Sequence, residues 1–269
     1  PLGVTPIDIA VTRGGRILVL DAQAGAFGGF GAVFAVDRRT GHRSLVSDLG
    51  DRTRGPVASR PEGLAIGTSG TIYVVDREAG TGGSGAILAI DPIDGRRRMV
   101  SDYGNRTQGP AFGIQPFALA VLDADDSILA LDTSAIVDVD PTTGARTGWH
   151  DQFDLTLGPS TTGPASIHVA PDAVLLLSRD LSARTDDDDR RSSGGIFSIP
   201  RTGGPRTVVQ RFSDPAGGLL LHTPVDLARG SSGALYVAGQ TTFDDQAVVA
   251  IEPDGHRRLV SNFEDPSQG

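Results

Sequence analysis

Residues 96–110 read RRRMVSDYGNRTQGP, and residues 42–56 read HRSLVSDLGDRTRGP. The phrase returns at 256–269 as HRRLVSNFEDPSQG. Each copy joins a short β-branched run to a polar, glycine-punctuated segment. Recurrence of a whole phrase at wide spacing marks a repeat architecture. A few residues beyond each such segment, a proline opens an apolar run: TPIDIAV, RPEGLAI, QPFALAV, GPASIHV and TPVDLAR. These prolines are Pro6, Pro61, Pro116, Pro164 and Pro224, spaced by 55, 55, 48 and 60 residues. Counting from Pro224 through Gly269 and on to Pro6 gives 51, so five repeats account for all 269 residues.

Within the second repeat four strand-like runs follow one another: GLAIG (63–67), TIYVVD (71–76), AILAID (86–91) and RRMVSD (97–102). TSG turns the chain between the first two, and PIDG between the last two; RRTG, PTTG, RTGG and EPDG hold the latter place in the other repeats. Proline-to-glycine turns between β-branched runs close antiparallel hairpins, and no helical periodicity intervenes. A four-stranded sheet that cannot bury both faces alone stacks on its neighbours around an axis. The expected fold is therefore all-β, a five-bladed β-propeller with four antiparallel strands per blade. Its alternatives are a six-bladed ring or one bead of a tandem array. The expected organisation is a single domain over 1–269, with blades near 1–55, 56–109, 110–158, 159–218 and 219–269. The S-D-x-G-x-R-T-x-G-P segment becomes the crossing from one blade to the next, and ring closure would bring Gly269 to Pro1 inside such a crossing.

Composition excludes several classes. The net charge of −9 opposes the basic footprint that nucleic acid requires. All 24 basic residues are arginine, and the absence of cysteine removes disulfides, thiol catalysis and cysteine metal sites. No run approaches the length of a membrane span and no signal peptide is visible, so the chain reads as a mature or trimmed one.

The repeat P-x-G-hydrophobic-A followed by G-x-hydrophobic-Y-V-x-D resembles the NHL-type repeats of propellers, most closely in PEGLAIGTSGTIYVVD (61–76). It is also similar to the propellers of the gluconolactonase and senescence-marker-protein kind. That resemblance implies a propeller fold serving binding modules, lactonases or lyases. In the lactonases of that superfamily an axial metal is held by a glutamate, asparagines and an aspartate, and Glu62 matches the glutamate. The chain's two asparagines, Asn105 and Asn262, fall in blade crossings and do not match.

Read from the residues themselves, Asp8, Glu62 and Asp226 follow the aligned prolines of repeats one, two and five. Carboxylates from several blades at a channel mouth suit Ca²⁺ or another divalent ion. Ala10, Ala65, Ala120 and Ala228 share one inner-strand position, where His168 stands in the fourth repeat. Asp21, Asp76 and Asp132 end the second strand of repeats one to three, and this copying favours a turn-tying role. The connections after the second strand vary most. AFGGFG carries Phe27 and Phe30, and the run Asp186, Asp187, Asp188 and Asp189 precedes two arginines as a solvated loop. Both loops are candidate interaction surfaces. NRT at 105–107 is a glycosylation sequon by pattern. A carbohydrate platform is disfavoured by the single tryptophan, Trp149.

The function expected is that of a non-catalytic extracellular or envelope propeller used for binding or for assembly into a filament or array. Its partner would be another copy or another extracellular protein. The alternative is a divalent-metal-dependent lactonase or lyase at the channel mouth, with Asp8, Glu62 and Asp226 as ligands and His168 as a distant general base.

Overall fold

The computed structural model describes residues 5–110, 115–123, 125–180, 194–241, 245–265 and 267. The fold is all-β, with five four-stranded antiparallel sheets as propeller blades. Blade one holds β1 (Pro6–Val11), β2 (Ile17–Asp21), β3 (Ala32–Val36) and β4 (Arg43–Asp48). Blade two holds β5 (Pro61–Ile66), β6 (Ile72–Asp76), β7 (Ala86–Ile90) and β8 (Arg97–Asp102). Blade three holds β9 (Ala118–Val121), β10 (Ile128–Leu131), β11 (Ala135–Val139) and β12 (Arg146–Asp151). Blade four holds β13 (Thr162–Val169), β14 (Ala173–Asp180), β15 (Gly195–Pro200) and β16 (Thr207–Arg211). Blade five holds β17 (Asp226–Arg229), β18 (Leu235–Gln240), β19 (Gln246–Ile251) and β20 (Arg257–Asn262). Strands pair in chain order within every blade, as the hairpin turns require. The seam expected between Gly269 and Pro1 lies outside the described residues.

The chain divides into two compact units, Pro1–Trp149 and His150–Gly269. In the first unit the strand period of two splits each central strand between two neighbours. In IYVVD of β6 every residue is buried. Ile72 and Val74 join Leu18, Leu20 and Val33 of blade one, whereas Tyr73 and Val75 join Ile128 and Val137 of blade three. The second unit has the same construction, with Leu175, Leu177 and Ile196 packed against Leu227, Val237 and Val249. Each such side chain removed from water contributes about 1.5–3 kcal/mol. The face of a blade turned toward its predecessor is called leading below, and the opposite face trailing.

Two β-bulges recur. On first strands, Pro6 pairs with Asp21 and Asp8 with Leu20, so Ile7 is the extra residue; Glu62 is the extra residue of blade two. On fourth strands the extra residue is Val46, Val100, Val209 or Val260. An extra residue moves the following side chains to the other face of the sheet.

The crossings between blades hold one turn of 3₁₀ helix each. Its cap is a carboxylate or amide accepting from the backbone two residues on: Asp51 from Thr53 (2.9 Å), Asn105 from Thr107 (3.0 Å), Asp154 from Thr156 (2.8 Å) and Asp214 from Ala216 (2.9 Å). The sequon Asn105 thus serves as such a cap. Each turn ends on a positive-φ glycine, Gly55, Gly109, Gly158 or Gly218. A side chain there would collide with the backbone carbonyl of an arginine in the next blade.

That arginine secures the crossing. Arg97 donates to the carbonyls of Asp48 (2.6 Å), Asp51 (2.5 Å) and Pro56 (2.8 Å). Arg146 does the same for Asp102 (2.7 Å), Asn105 (2.9 Å), Gly109 (3.0 Å) and Pro110 (3.2 Å). In the second unit Arg206 binds the carbonyls of Asp151, Gln152, Asp154 and Gly158 at 2.9–3.1 Å, and Arg257 binds those of Arg211 (2.8 Å) and Leu219 (2.5 Å). All four guanidiniums are buried, and burial draws their pKa values down. A guanidinium stays charged under such pressure, and its five donors suit converging carbonyls.

Candidate functional site

One residue of the crossing sets how closely successive blades approach. In the first unit it is serine. Ser47 Oγ accepts from Arg97 (2.9 Å) and donates to the carbonyl of Gly95 in the next blade's hairpin turn (2.8 Å). Ser101 repeats this with Arg146 (2.8 Å) and Gly144 (2.9 Å). These short side chains draw the turns in until Gly95 and Gly144 rest on the carbonyls of Val46 and Val100.

In the crossings that follow blades three and four the position holds His150 and Gln210. Arg206 Nη1 lies 2.9 Å from His150 Nε2. Arginine only donates, so Nε2 is the acceptor and the ring proton sits on Nδ1. Burial lowers the His150 pKa to about 4, with Arg206 adding to the fall. Gln210 donates from Nε2 to the carbonyl of Arg211 (3.3 Å). Its Oε1 faces Gly255, the turn glycine of blade five, which no longer rests on a carbonyl of the preceding blade.

The wider spacing leaves a cleft of about 420 Å³ between blades four and five. Its apolar floor is formed by Ala173, Leu175, Leu235 and Ile251, with Val209 half-exposed at the side. Polar groups rim it: Ser198 and Gln210 from blade four, and Arg229, Glu252 and Asp254 from blade five. Arg229 Nη1 donates to Asp172 Oδ1 (3.2 Å) across the opening. Glu252 accepts from Arg258 (2.9 Å), and Asp254 from the backbone of His256 (2.9 Å). An apolar floor with a few oriented polar groups at this size is the ordinary form of a small-ligand site. Another hollow, of about 400 Å³ on blade three, has only Pro141 and Ala145 as apolar lining and carries Asp125, Asp138 and Asp140.

The residues singled out from sequence fall in several places. Asp8 Oδ1 accepts from the backbone of Ile9 (2.7 Å), and Oδ2 from that of Leu64 in blade two (2.6 Å). Glu62 pairs instead with Arg60 (2.8 Å). Asp8 stands two residues after its proline and Glu62 one, on the bulge, so the register partner of Asp8 is Gly63. In the second unit Asp226 Oδ1 accepts from the backbone of Leu227 (2.8 Å), repeating half of the Asp8 arrangement. His168 is half-buried beside it; burial lowers its pKa, with Asp226 opposing and Arg229 assisting. Among the described residues no group of three His, Asp or Glu side chains is arranged to hold a metal ion.

The strand-end aspartates tie turns. Asp76 accepts from the backbones of Ser59 (2.7 Å), Arg60 (2.9 Å), Glu78 (2.9 Å) and Ala79 (2.6 Å); Asp21 and Asp132 act alike. Phe30 lays its ring against Gly28 and Gly50, but it and Phe27 remain exposed. Asp186, Asp187, Asp188 and Asp189 lie outside the described residues. Sequence reading passed over the cleft. The signal for it was present: VSD, VSD, WHD, VQR and VSN at one repeat position, with the serine displaced in blades three and four.

No family model matches the chain, and no curated protein does. Solved structures do. A Bacteroides thetaiotaomicron protein of unknown function superposes with a TM-score of 0.64 at 12% identity. Auxiliary nutrient binding proteins from Bacteroides ovatus and Bacteroides thetaiotaomicron give 0.60 at 14% and 0.63 at 9%. The extracellular domain of a proposed one-component system from Bacteroides thetaiotaomicron gives 0.56 at 15%. The likeness is one of fold. In each case 96% of this chain is covered, but it spans 57% of the first three neighbours and 31% of the fourth. No helix among the described residues is long and apolar enough to cross a membrane.

Proposed function

We propose that this protein is a non-catalytic binding module, working outside the cell or in the envelope, which holds a small polar ligand between blades four and five and associates with copies of itself. The carrying observation is the cleft beside Gln210, the place where the repeat's serine-closed contact is replaced by an open one with a rim of Ser198, Gln210 and Arg229. Paired donors and acceptors around an apolar floor suit a hydroxyl-bearing or zwitterionic solute. The fold neighbours described as nutrient binding proteins and as an extracellular domain support both the binding role and the location. Kinship with NHL-type repeats, on PEGLAIGTSGTIYVVD, and a single-domain organisation belong to the same proposal.

The test is thermal unfolding against a panel of monosaccharides and free amino acids. At least one compound is expected to raise the midpoint, by several degrees at saturating concentration, since about 2.7 kcal/mol accompanies a hundredfold excess over Kd. Gln210→Ser, which closes the cleft, is expected to abolish the rise, and Arg229→Ala to reduce it. A rise that survives both substitutions would move the site elsewhere, and a panel without effect would count against the binding role.

A further inference from the structure

We propose that the ligand of the cleft is a linear zwitterion, an ω-amino acid. Its ammonium lies at the blade-five turn 252–255, its carboxylate at Arg229 and its hydrocarbon chain on the floor between them. This rests on, and sharpens, the binding role proposed above. The cleft lies within the second unit, between the trailing face of blade four and the leading face of blade five.

The ammonium end is marked by acceptors whose donors have been replaced. In the closed junctions the preceding crossing supplies two donors to the carbonyls of the hairpin turn. Ser47 and Ser101 serve those of Gly95 and Gly144. Arg54 Nη1 and Gln108 Nε2 serve those of the residue before, Asp94 (2.5 Å) and Thr143 (3.4 Å). Between blades four and five, Gln210 stands for the serine, and Gly217, with no side chain, stands for Arg54 and Gln108. Among the described residues no group donates to the carbonyls of Asp254 and Gly255. Gln210 Oε1 likewise accepts no hydrogen bond, although the residue is only 8% exposed. These three residues line one end of the cleft. An ammonium, with three N–H donors and no acceptor, is the group that such a set of oxygens selects, and the Asp254 carboxylate on the same turn favours its charge.

Register places the opposite charge at the other end. Arg229, Leu235 and Ile251 pair in one row across β17, β18 and β19, so their side chains share the leading face. Two strand spacings set Arg229 roughly 10 Å from Ile251, after which the turn begins. Leu175 and Ser198 form the facing row on β14 and β15. Arg229 uses one of its five N–H groups on the exposed Asp172 (3.2 Å). An ion pair so open to water is weak, and the remaining donors suit a ligand carboxylate. Between the two ends the floor of Leu175, Leu235 and Ile251 offers hydroxyl groups no partner. An α-amino acid holds its charges too close together to reach both ends.

The experiment is isothermal titration of the full chain with 6-aminohexanoate, hexylamine and hexanoate. The first is expected to bind, and each one-ended compound to bind at least about tenfold more weakly. Gln210→Met, which keeps the side chain's length and removes its oxygen, is expected to weaken 6-aminohexanoate and hexylamine about tenfold and to spare hexanoate. Arg229→Gln is expected to weaken 6-aminohexanoate and hexanoate and to spare hexylamine. Asp172→Asn, which releases Arg229, is expected to tighten the two carboxylates, a gain that misfolding cannot mimic. Hexylamine or hexanoate binding as tightly as 6-aminohexanoate overturns the two-ended assignment, as does a carboxylate that Asp172→Asn fails to tighten. If 6-aminohexanoate does not bind while a sugar or α-amino acid does, in a manner abolished by Gln210→Ser, the ω-amino acid is overturned and the cleft stands. Binding by none of these compounds overturns both.

Discussion

The junctions of the first unit and the junction of blades four and five use one arginine clasp but differ at the residue beside it. Ser47 and Ser101 each make two bonds with one oxygen, joining their clasp arginine to the next blade's turn. Gln210 bonds within its own strand's end and holds Gly255 off. A scaffold of repeated blades thus gains a cavity without any new element, where a longer side chain stands beside a retained arginine clasp. The clasp maintains the stack, and the neighbouring position is left free to vary.

The largest effect expected is loss of the clasp itself. Arg97→Ala at a closed junction and Arg257→Ala at the open one should each cost about 3–5 kcal/mol in denaturant unfolding, because buried carbonyls lose their donors. Near-equal losses would confirm that the two kinds of junction share their anchoring. A much smaller loss at Arg257 would mean that the open junction is held by other means.

Next comes the histidine variant of the junction. His150 titrates near 4 in the folded chain and near 6.5 when unfolded, so it is neutral in the fold. As pH falls below 6.5 the unfolded chain takes up the proton first. Stability should therefore drop between about pH 6.5 and 4, by roughly 3 kcal/mol in full. Subtracting the pH profile of His150→Gln should isolate this slope; identical profiles would show that His150 gains its proton within the folded state.

The smallest effect tests the spacing rule. Ser47→Gln should cost about 1 kcal/mol, the worth of the bond to Gly95, and open a cleft between blades one and two that Gln210 already maintains between four and five. A crystal structure of this variant with Gly95 still against Val46 would break the rule.

The blade count, the strand order and the crossings could be read from prolines and glycines at fixed repeat positions, because turns demand particular backbone conformations and the period of two assigns each side chain to a face. The carboxylates were less legible. Asp8 and Glu62 lie near their prolines in the sequence, but a single bulge residue separates their registers. The turn-tying role of Asp76 was read from its copying, but the particular partners, the amides of residues 59 and 60 for Asp76 and Gly50 for Phe30, depend on how a loop folds back.

The chain's own pattern determined that it would form five sheets of four strands, because periodicity and turn chemistry act locally. Only the tertiary structure decided that the recurring arginines disappear into carbonyl nests, that Glu62 pairs with Arg60, and that a cleft opens beside Gln210. Those outcomes turn on distances of an ångström or two between segments tens of residues apart, and side-chain length across a packed junction has no counterpart in a one-dimensional string.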